Sequence, residues 1–195
     1  MLDTQGSAAF VGPNAAIQTF AALRVLQGVR AAKAVAIRAG VGPWLSRPPG
    51  AMIPEGSAAA IFRAVGEICG AEARHVMAAA GAGTGSYVLA HRIPAPVRSV
   101  LPLMPDPIAA RLLLAAIRKN AWTFAGSGAV TTAARPWTVE IADNPLAQEG
   151  GCAWHAAVFE RLFRALVHPR TVARETACCA AGAPACRFVL EVPPK

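Results

Sequence analysis

The chain has 195 residues, a formal net charge of +8 and only 15% charged residues. This length allows one domain with a substantial core, and the basic balance favours nucleic acid, anionic lipid or acidic small molecules as partners. Nucleic acid fits least, because the arginines are scattered and form no dense basic run with interleaved aromatic residues. The start has no positively charged region before an apolar stretch. Five cysteines without a secretory signal then predict free thiols in a cytoplasmic protein.

The N-terminal half is predicted to be mainly helical, because apolar residues recur at helical spacing between turn residues. The predicted helices start at Asn14 and Ser57, cover 29–39 and 71–91, and run from a capping Asp106 to about Asn120. After residue 120 the pattern changes to strands over 122–132, 136–142, 170–179 and 186–192, with a helix over 153–167. This order predicts an α+β fold in a single domain, 1–195. A mainly helical part, 10–120, packs on a mainly antiparallel sheet of about four strands within 121–192.

The glycines of the segment GAGTG lie in a long uncharged stretch. Gly81, Gly83 and Gly85 interrupt the run between His75 and His91, which argues against a membrane-spanning helix. The segment has no strand before it and lacks the full spacing of a dinucleotide-binding loop. We therefore interpret these glycines as small residues for close helix packing. No other nicotinamide or flavin signature is present, which argues against hydride transfer by the chain alone.

Three cysteines and a glutamate near the C-terminus form a candidate zinc site: Cys152, Glu175, Cys178 and Cys186. A predicted turn over 182–184 brings Cys178 and Cys186 together, and Cys152 lies at a helix start, where the helix dipole favours a thiolate. Cys179 faces the opposite side of its strand from Cys178. Glu175 stands three residues before Cys178, so both can reach one ion only across a bulge or twist. The alternative is that these cysteines are small buried hydrophobes. A metal here would be structural rather than catalytic.

The C-terminal pattern resembles the vinyl-4-reductase domain family. The elements that carry the resemblance are a helix, a strand ending in E-x-x-C, a glycine-containing turn and C-R-F, as in FERLFRALVHPRTVARETACCAAGAPACRF. The segments GPNAAIQ, LAHRIPAPV, LLLAAIRKNAWTFAGSG and EIADNPLA extend the resemblance over roughly 10–192. They point to the branch of the family that takes part in bacteriochlorophyll synthesis and to which a 4-vinyl reductase activity has been assigned.

The resemblance implies a small-molecule-binding α/β module with a vinyl-4-reductase-type core over 121–192. It is similar to the sensor domains of aromatic-responsive regulators and to a vesicle-tethering subunit. In the aromatic sensors three cysteines and a glutamate hold zinc, and Cys152, Glu175, Cys178 and Cys186 match those positions. Related domains often pair, which implies a homodimer.

A tetrapyrrole ligand, as the resemblance implies, directs attention to two histidines and a small set of cations. His91 and His155 are candidates to ligate the magnesium of the ring or to hydrogen-bond a ring substituent. Their alternative roles are to cap a helix end or to satisfy a buried polar contact. Arg92, with Arg118 and Lys119, is a candidate partner for a tetrapyrrole carboxylate, the alternative being solvated surface charge.

Four aromatic residues lie around the predicted sheet and its helix: Trp122, Phe124, Trp137 and Trp154. They suit the walls of a pocket for a large conjugated ring and would equally serve as core.

The function that the resemblance implies is that of an accessory protein of bacteriochlorophyll synthesis. Such a protein would bind a Mg-porphyrin or chlorophyllide intermediate and present it to the pathway enzymes. The first alternative is reduction of the 8-vinyl group (4-vinyl in older numbering) of a divinyl tetrapyrrole. The second is a sensor or scaffold domain with a small aromatic or acyl ligand.

Overall fold

The computed structural model describes residues 9–194, in which helices and an antiparallel sheet pack as an α+β fold. The helices are α1 (Asn14–Leu26), α2 (Gly28–Arg38), α3 (Glu55–Cys69), α4 (Ala73–His91), α5 (Ala95–Val100), α6 (Asp106–Lys119), α7 (Trp122–Ala125) and α8 (Ala153–Leu166). The strands are β1 (Phe10–Val11), β2 (Ile53–Pro54), β3 (Ala129–Ala134), β4 (Trp137–Ala142), β5 (Val172–Ala177) and β6 (Ala185–Glu191). The predicted fold class is confirmed, with the sheet following a mainly helical half.

The main sheet has four antiparallel strands in the order β3-β4-β6-β5. Side chains alternate along β6, where Cys186, Phe188 and Leu190 are buried and the residues between them are more exposed. This alternation directs one face of the sheet onto α8, whose own buried face includes Phe159 and Phe163. Helix α4 packs on α8, and α1 packs on α4, so that layers of helices build outward from the sheet.

Glycines in α4 let this helix approach its neighbours closely. A Cβ atom on Gly81 would overlap the carbonyl oxygen of Trp154, and one on Gly85 would lie 2.8 Å from Cβ of Arg161. On another side of α4, a Cβ on Gly83 would lie 2.7 Å from Oε1 of Gln18 in α1. The interpretation of GAGTG as a helix-packing segment is therefore confirmed.

The strand predicted over 122–132 is wrong in its first half. Trp122–Ala125 forms a short helix instead, and Gly126 follows it with φ of +56°, a conformation that favours glycine. The carboxylate of Glu55 then accepts hydrogen bonds from the backbone amide and the hydroxyl of Ser127, at 2.8 and 2.9 Å. The local alternation of W-T-F-A indicated a strand, but this long-range anchor and the glycine turn the chain before β3 begins.

Two predicted caps also differ from the structure. Asn14 and Asp106 are the first residues of their helices, each follows a proline in the capping position, and neither cap makes a side-chain hydrogen bond. Within residues 9–194, no helix is both long and apolar enough to cross a bilayer.

Candidate functional site

The four predicted ligands come from three elements and converge at one end of α8. Cys152 occupies the position just before α8, Glu175 lies on β5, Cys178 directly follows β5, and Cys186 lies on β6. Their ligand atoms all lie within 4.8 Å of one another. The structure therefore brings together the residues that the sequence singled out.

The three sulfur atoms have the spacing of a tetrahedral site. The Sγ atoms of Cys152 and Cys186 are 3.5 Å apart, those of Cys152 and Cys178 3.8 Å, and those of Cys178 and Cys186 3.9 Å. With a zinc–sulfur bond of about 2.3 Å, tetrahedral geometry places two sulfur ligands about 3.8 Å apart. All three cysteines are free and buried. Their separations are too long for a disulfide bond and match those of shared metal ligands.

Glu175 reaches the cluster across an irregularity in the strand pairing. Its partner in β6 is Phe188, and the next paired residue of β5 is Ala177, opposite Arg187. Thr176 is thus an extra residue, which is the bulge that the spacing of Glu175 and Cys178 required. The expected bulge is confirmed.

The glutamate carboxylate divides its two oxygens between the chain and the cluster. Oε2 accepts a 2.7 Å hydrogen bond from the backbone amide of Cys152, whereas Oε1 is buried with no hydrogen-bond partner in the described part of the chain. Gly151 permits this contact, since it has φ of +101° and a Cβ on it would lie 2.6 Å from Oε2. A buried carboxylate oxygen without a partner is costly unless a cation satisfies it. The donor set therefore fits a metal ion.

Asn144 supports the sulfur cluster from behind. Its Oδ1 accepts a hydrogen bond from the amide of Leu146, which turns the Nδ2 group towards Sγ of Cys186 at 3.4 Å and Sγ of Cys152 at 3.8 Å. The amide of Cys179 also donates to Sγ of Cys186, at 3.3 Å. Outer hydrogen bonds of this kind orient metal ligands. The sequence pointed to Asn144 only as a strand-ending residue before Pro145, and an Asn-Pro turn close to a candidate cysteine ligand is the signal that could have identified it.

The electrostatics of the cluster favour one thiolate. The hydrogen bond from Cys152, together with those from Cys179 and Asn144, lowers the pKa of the Cys186 thiol to about 5. The hydrogen bond to Cys186, burial and the nearby Glu175 charge all raise the pKa of Cys152. Metal binding would displace the remaining protons, because cysteine binds zinc as the thiolate. Three thiolates and a carboxylate complete four positions and leave no open one, so the chemistry such a metal would supply is cross-linking rather than catalysis.

A separate cavity of about 440 Å³ lies between the helices. Apolar and aromatic residues dominate its lining, and Arg92 is the only charged residue among the described residues that form it. The lining comprises Gly12, Pro13, Asn14, Ala15, Met52, Thr84, Tyr87, Val88, Arg92, Ile93, Leu113, Ala116, Ile117, Asn120, Trp122, Thr123, Phe124, Trp154, Val158, Phe159 and Leu162. This volume and character are those of a small-molecule site.

Four of the residues suggested for ligand binding line the cavity: Arg92, Trp122, Phe124 and Trp154. Trp122 and Arg92 are exposed, whereas Trp154 is buried, so the set extends from the mouth to the interior. Arg118 and Lys119, the other suggested cations, are exposed at the end of α6 and lie outside the lining.

The other three suggested residues lie outside this lining. The His91 ring lies 4.6 Å from that of Tyr87, a lining residue, but does not itself reach the cavity. Trp137 on β4 packs against Phe163, with 5.8 Å between ring centroids, because its strand position directs it into the core between sheet and α8.

His155 is a buried core residue. Nε2 lies 3.1 Å from the carbonyl oxygen of Phe124, and burial lowers the pKa of the imidazole to about 4. The neutral ring therefore donates from Nε2 to that carbonyl. This matches the alternative role weighed for it, a satisfied buried contact.

Comparisons with known proteins agree with this architecture. The model of the vinyl-4-reductase domain matches residues 137–192, the region that contains β4, α8 and all four cluster residues. Among solved structures, an H-NOX protein from S. oneidensis in the Fe(II)NO ligation state has a TM-score of 0.55 and 9% identity, covering 94% of this chain and 100% of that chain. At such low identity, this similarity concerns the fold alone.

Two relatives named bacteriochlorophyll synthase 23 kDa chain match nearly the whole length. The protein from Cereibacter sphaeroides is 44% identical over 186 residues, covering 92% of this chain and 89% of that protein. The protein from Rhodobacter capsulatus is 40% identical over 185 residues, covering 92% of this chain and 86% of that protein. The chain therefore belongs to the family of the bacteriochlorophyll synthase 23 kDa chains, and its vinyl-4-reductase domain spans residues 137–192.

Proposed function

We propose that the chain is an accessory protein of bacteriochlorophyll synthesis. It holds a Mg-tetrapyrrole intermediate, a porphyrin or a chlorophyllide, in the cavity between the helices and presents it to the pathway enzymes. The observation that carries the proposal is the similarity over 92% of the chain to relatives named as chains of bacteriochlorophyll synthase. By the same names, the other proteins of that synthesis system are the expected partners.

The chemistry of the cavity supports a flat, apolar ligand with a negative group. Trp122, Phe124 and Trp154 offer aromatic surface, and the 440 Å³ volume lies within the usual range of about 300–1,000 Å³ for ligand sites. Arg92 makes no ion pair within the described residues, so its guanidinium is available to a tetrapyrrole carboxylate.

The cysteine–glutamate cluster contributes to this function through α8. Trp154, Val158, Phe159 and Leu162 all project from this helix into the cavity lining, and Cys152 stands at its start. A zinc ion held by Cys152, Glu175, Cys178 and Cys186 would join the start of the helix to the last two strands. It would thereby hold one wall of the cavity in place.

The direct test is titration of the purified protein with Mg-protoporphyrin, followed by the Soret band and by tryptophan fluorescence. We expect a shifted Soret band and quenched tryptophan emission. Ala116→Trp should weaken binding at least tenfold, because Ala116 is an exposed residue of the lining and a large side chain there obstructs the mouth. Ala115→Trp is the matched control, since Ala115 is equally exposed on α6 and does not line the cavity. A titration without spectral change would refute the proposal.

Activity assays separate this function from its alternatives. Turnover of a divinyl tetrapyrrole by the purified protein with nicotinamide, flavin or ferredoxin donors would support the vinyl reductase instead. Native mass spectrometry that found a retained small aromatic or acyl molecule would support the sensor or scaffold function.

A further inference from the structure

We propose that the outer surface of residues 95–119 docks on an anionic lipid bilayer. This segment contains α5, the following turn at Leu101–Leu103 and α6. We name it the 95–119 surface. The turn contacts both helices, so the three pieces are neighbours in space as well as in sequence.

Apolar side chains recur along the exposed side of this surface. Val97, Val100 and Leu103 follow one another at intervals of three residues, and Leu103 is 83% exposed. On α6, Ile108 and Leu112 are each 50% exposed and stand four residues apart, on one face of the helix.

The core does not require these side chains. Helix α6 already buries a complete apolar face, formed by Ala109, Ala110, Leu113, Leu114 and Ile117. The opposite face is apolar in addition to it. Exposed apolar residues that cluster in this way mark an interaction surface.

The charges around the apolar residues select the partner. Between residues 92 and 119 there are five basic residues, Arg92, Arg98, Arg111, Arg118 and Lys119, and the only acidic one is Asp106. None of the five forms an ion pair within residues 9–194. Apolar residues beside unpaired cations are complementary to a bilayer with anionic headgroups, into which the side chains insert while the cations remain at the headgroups.

The same charges argue against a second copy of this chain as the occupant. In a two-fold contact each surface would meet its own equivalent, which would oppose like charges across a partly dry interface. No acidic residue other than Asp106 lies on the segment to offset them.

The position of the cavity gives this docking a consequence. Arg92, Ile93 and Ala116 belong to the cavity lining and lie on or directly beside the 95–119 surface. A chain docked in this orientation presents the mouth of its cavity to the bilayer, from which an apolar ligand can enter without crossing water.

The test is co-sedimentation of the full chain with vesicles of phosphatidylcholine alone and of phosphatidylcholine with about 30% phosphatidylglycerol, without added pigment. We expect binding to the anionic vesicles, weak binding to the neutral ones, and loss in high salt. Arg111→Gln with Arg118→Gln should weaken binding about 25-fold, from about fivefold for each charge removed near the surface. Equal binding to both vesicle types, or to neither, would overturn the proposal.

A pair of matched variants tests the location. Leu103→Glu with Leu112→Glu should abolish vesicle binding. Val29→Glu with Ile37→Glu changes the net charge equally on α2, at residues that are 71% and 65% exposed, and should leave binding intact. All four positions are exposed, and circular dichroism should show unchanged folding. The reverse pattern would place the lipid contact on α2. A dimer that dissociates in the 103/112 variant would show that this surface binds a second copy, which also contradicts the proposal.

Discussion

The backbone amide of Cys152 donates a 2.7 Å hydrogen bond to Oε2 of Glu175. This bond joins the start of α8 to β5 through the same carboxylate whose other oxygen, Oε1, is buried and without a partner in the described residues. Helix start and strand are thus held together by the chain itself, and the unsatisfied oxygen faces the requirement that a cation meets. The cluster is a polar joint between helix and sheet that a metal completes.

The first prediction concerns which of two adjacent cysteines binds metal. Cys178→Ser should lose the metal and lower the midpoint of thermal unfolding, because its sulfur lies 3.8 and 3.9 Å from the other two thiols. Cys179→Ser should retain the metal, since Cys179 lies outside the cluster. Elemental analysis of the purified variants for zinc measures both. Equal zinc content in the two variants, or none in the unmodified protein, would contradict the assignment.

The second prediction isolates the charge of the glutamate. Glu175→Gln keeps a carbonyl oxygen that can accept the hydrogen bond from Cys152 but removes the negative ligand. We expect the chain to fold and its zinc affinity to fall at least tenfold, measured by competition with a chromogenic chelator. Glu160→Gln is a control for the loss of one carboxylate, as Glu160 pairs with Arg164 away from the cluster. Unchanged affinity in Glu175→Gln would show that the fourth ligand is another group.

The third prediction tests the close contact between α4 and α8. Gly81→Ala should lower the free energy of unfolding by about 1–3 kcal/mol, because the new Cβ would overlap the Trp154 carbonyl oxygen and force the helices apart. Gly66→Ala in α3 has open space around its Cβ and should raise stability by up to about 1 kcal/mol. Chemical denaturation of both variants measures the difference. A stabilised Gly81→Ala protein would rule out tight packing at this position.

The fourth prediction is a pH dependence that arises from His155. Burial lowers its pKa in the folded chain to about 4, whereas an unfolded histidine titrates near 6.5. Between these values the unfolded chain binds more protons, so stability is present above pH 6.5 and falls as the pH drops towards 4. The loss approaches about 3 kcal/mol.

His155→Gln should remove this dependence, because glutamine can donate to the Phe124 carbonyl and does not titrate. Unfolding curves of both proteins from about pH 7 to about pH 4 measure it. Release of metal at low pH affects both proteins alike, so the difference between them isolates His155. Parallel pH profiles for the two proteins would be inconsistent with a buried, neutral imidazole.

The sequence by itself determined the composition of the cluster and the class of the fold. Glycine and proline between Cys178 and Cys186 specify a turn locally, and a glutamate three residues before a cysteine on a strand demands a bulge for purely geometric reasons. Alternating and helical periods likewise depend on neighbouring residues only, so they identified the sheet and most of the helices.

Tertiary structure decided the features that depend on residues far apart in the chain. The segment 122–125 became helical because Gly126 turns the chain and Glu55, about 70 residues away, holds Ser127. Asn144 joined the cluster because its turn faces two sulfur atoms from other elements. The same holds for the aromatic residues: Trp154 lines the cavity and Trp137 fills the core, although both belong to apolar patterns. A local pattern states that a side chain is buried, and only the packing of α4, α6 and α8 determines whether it is buried against protein or against an open cavity.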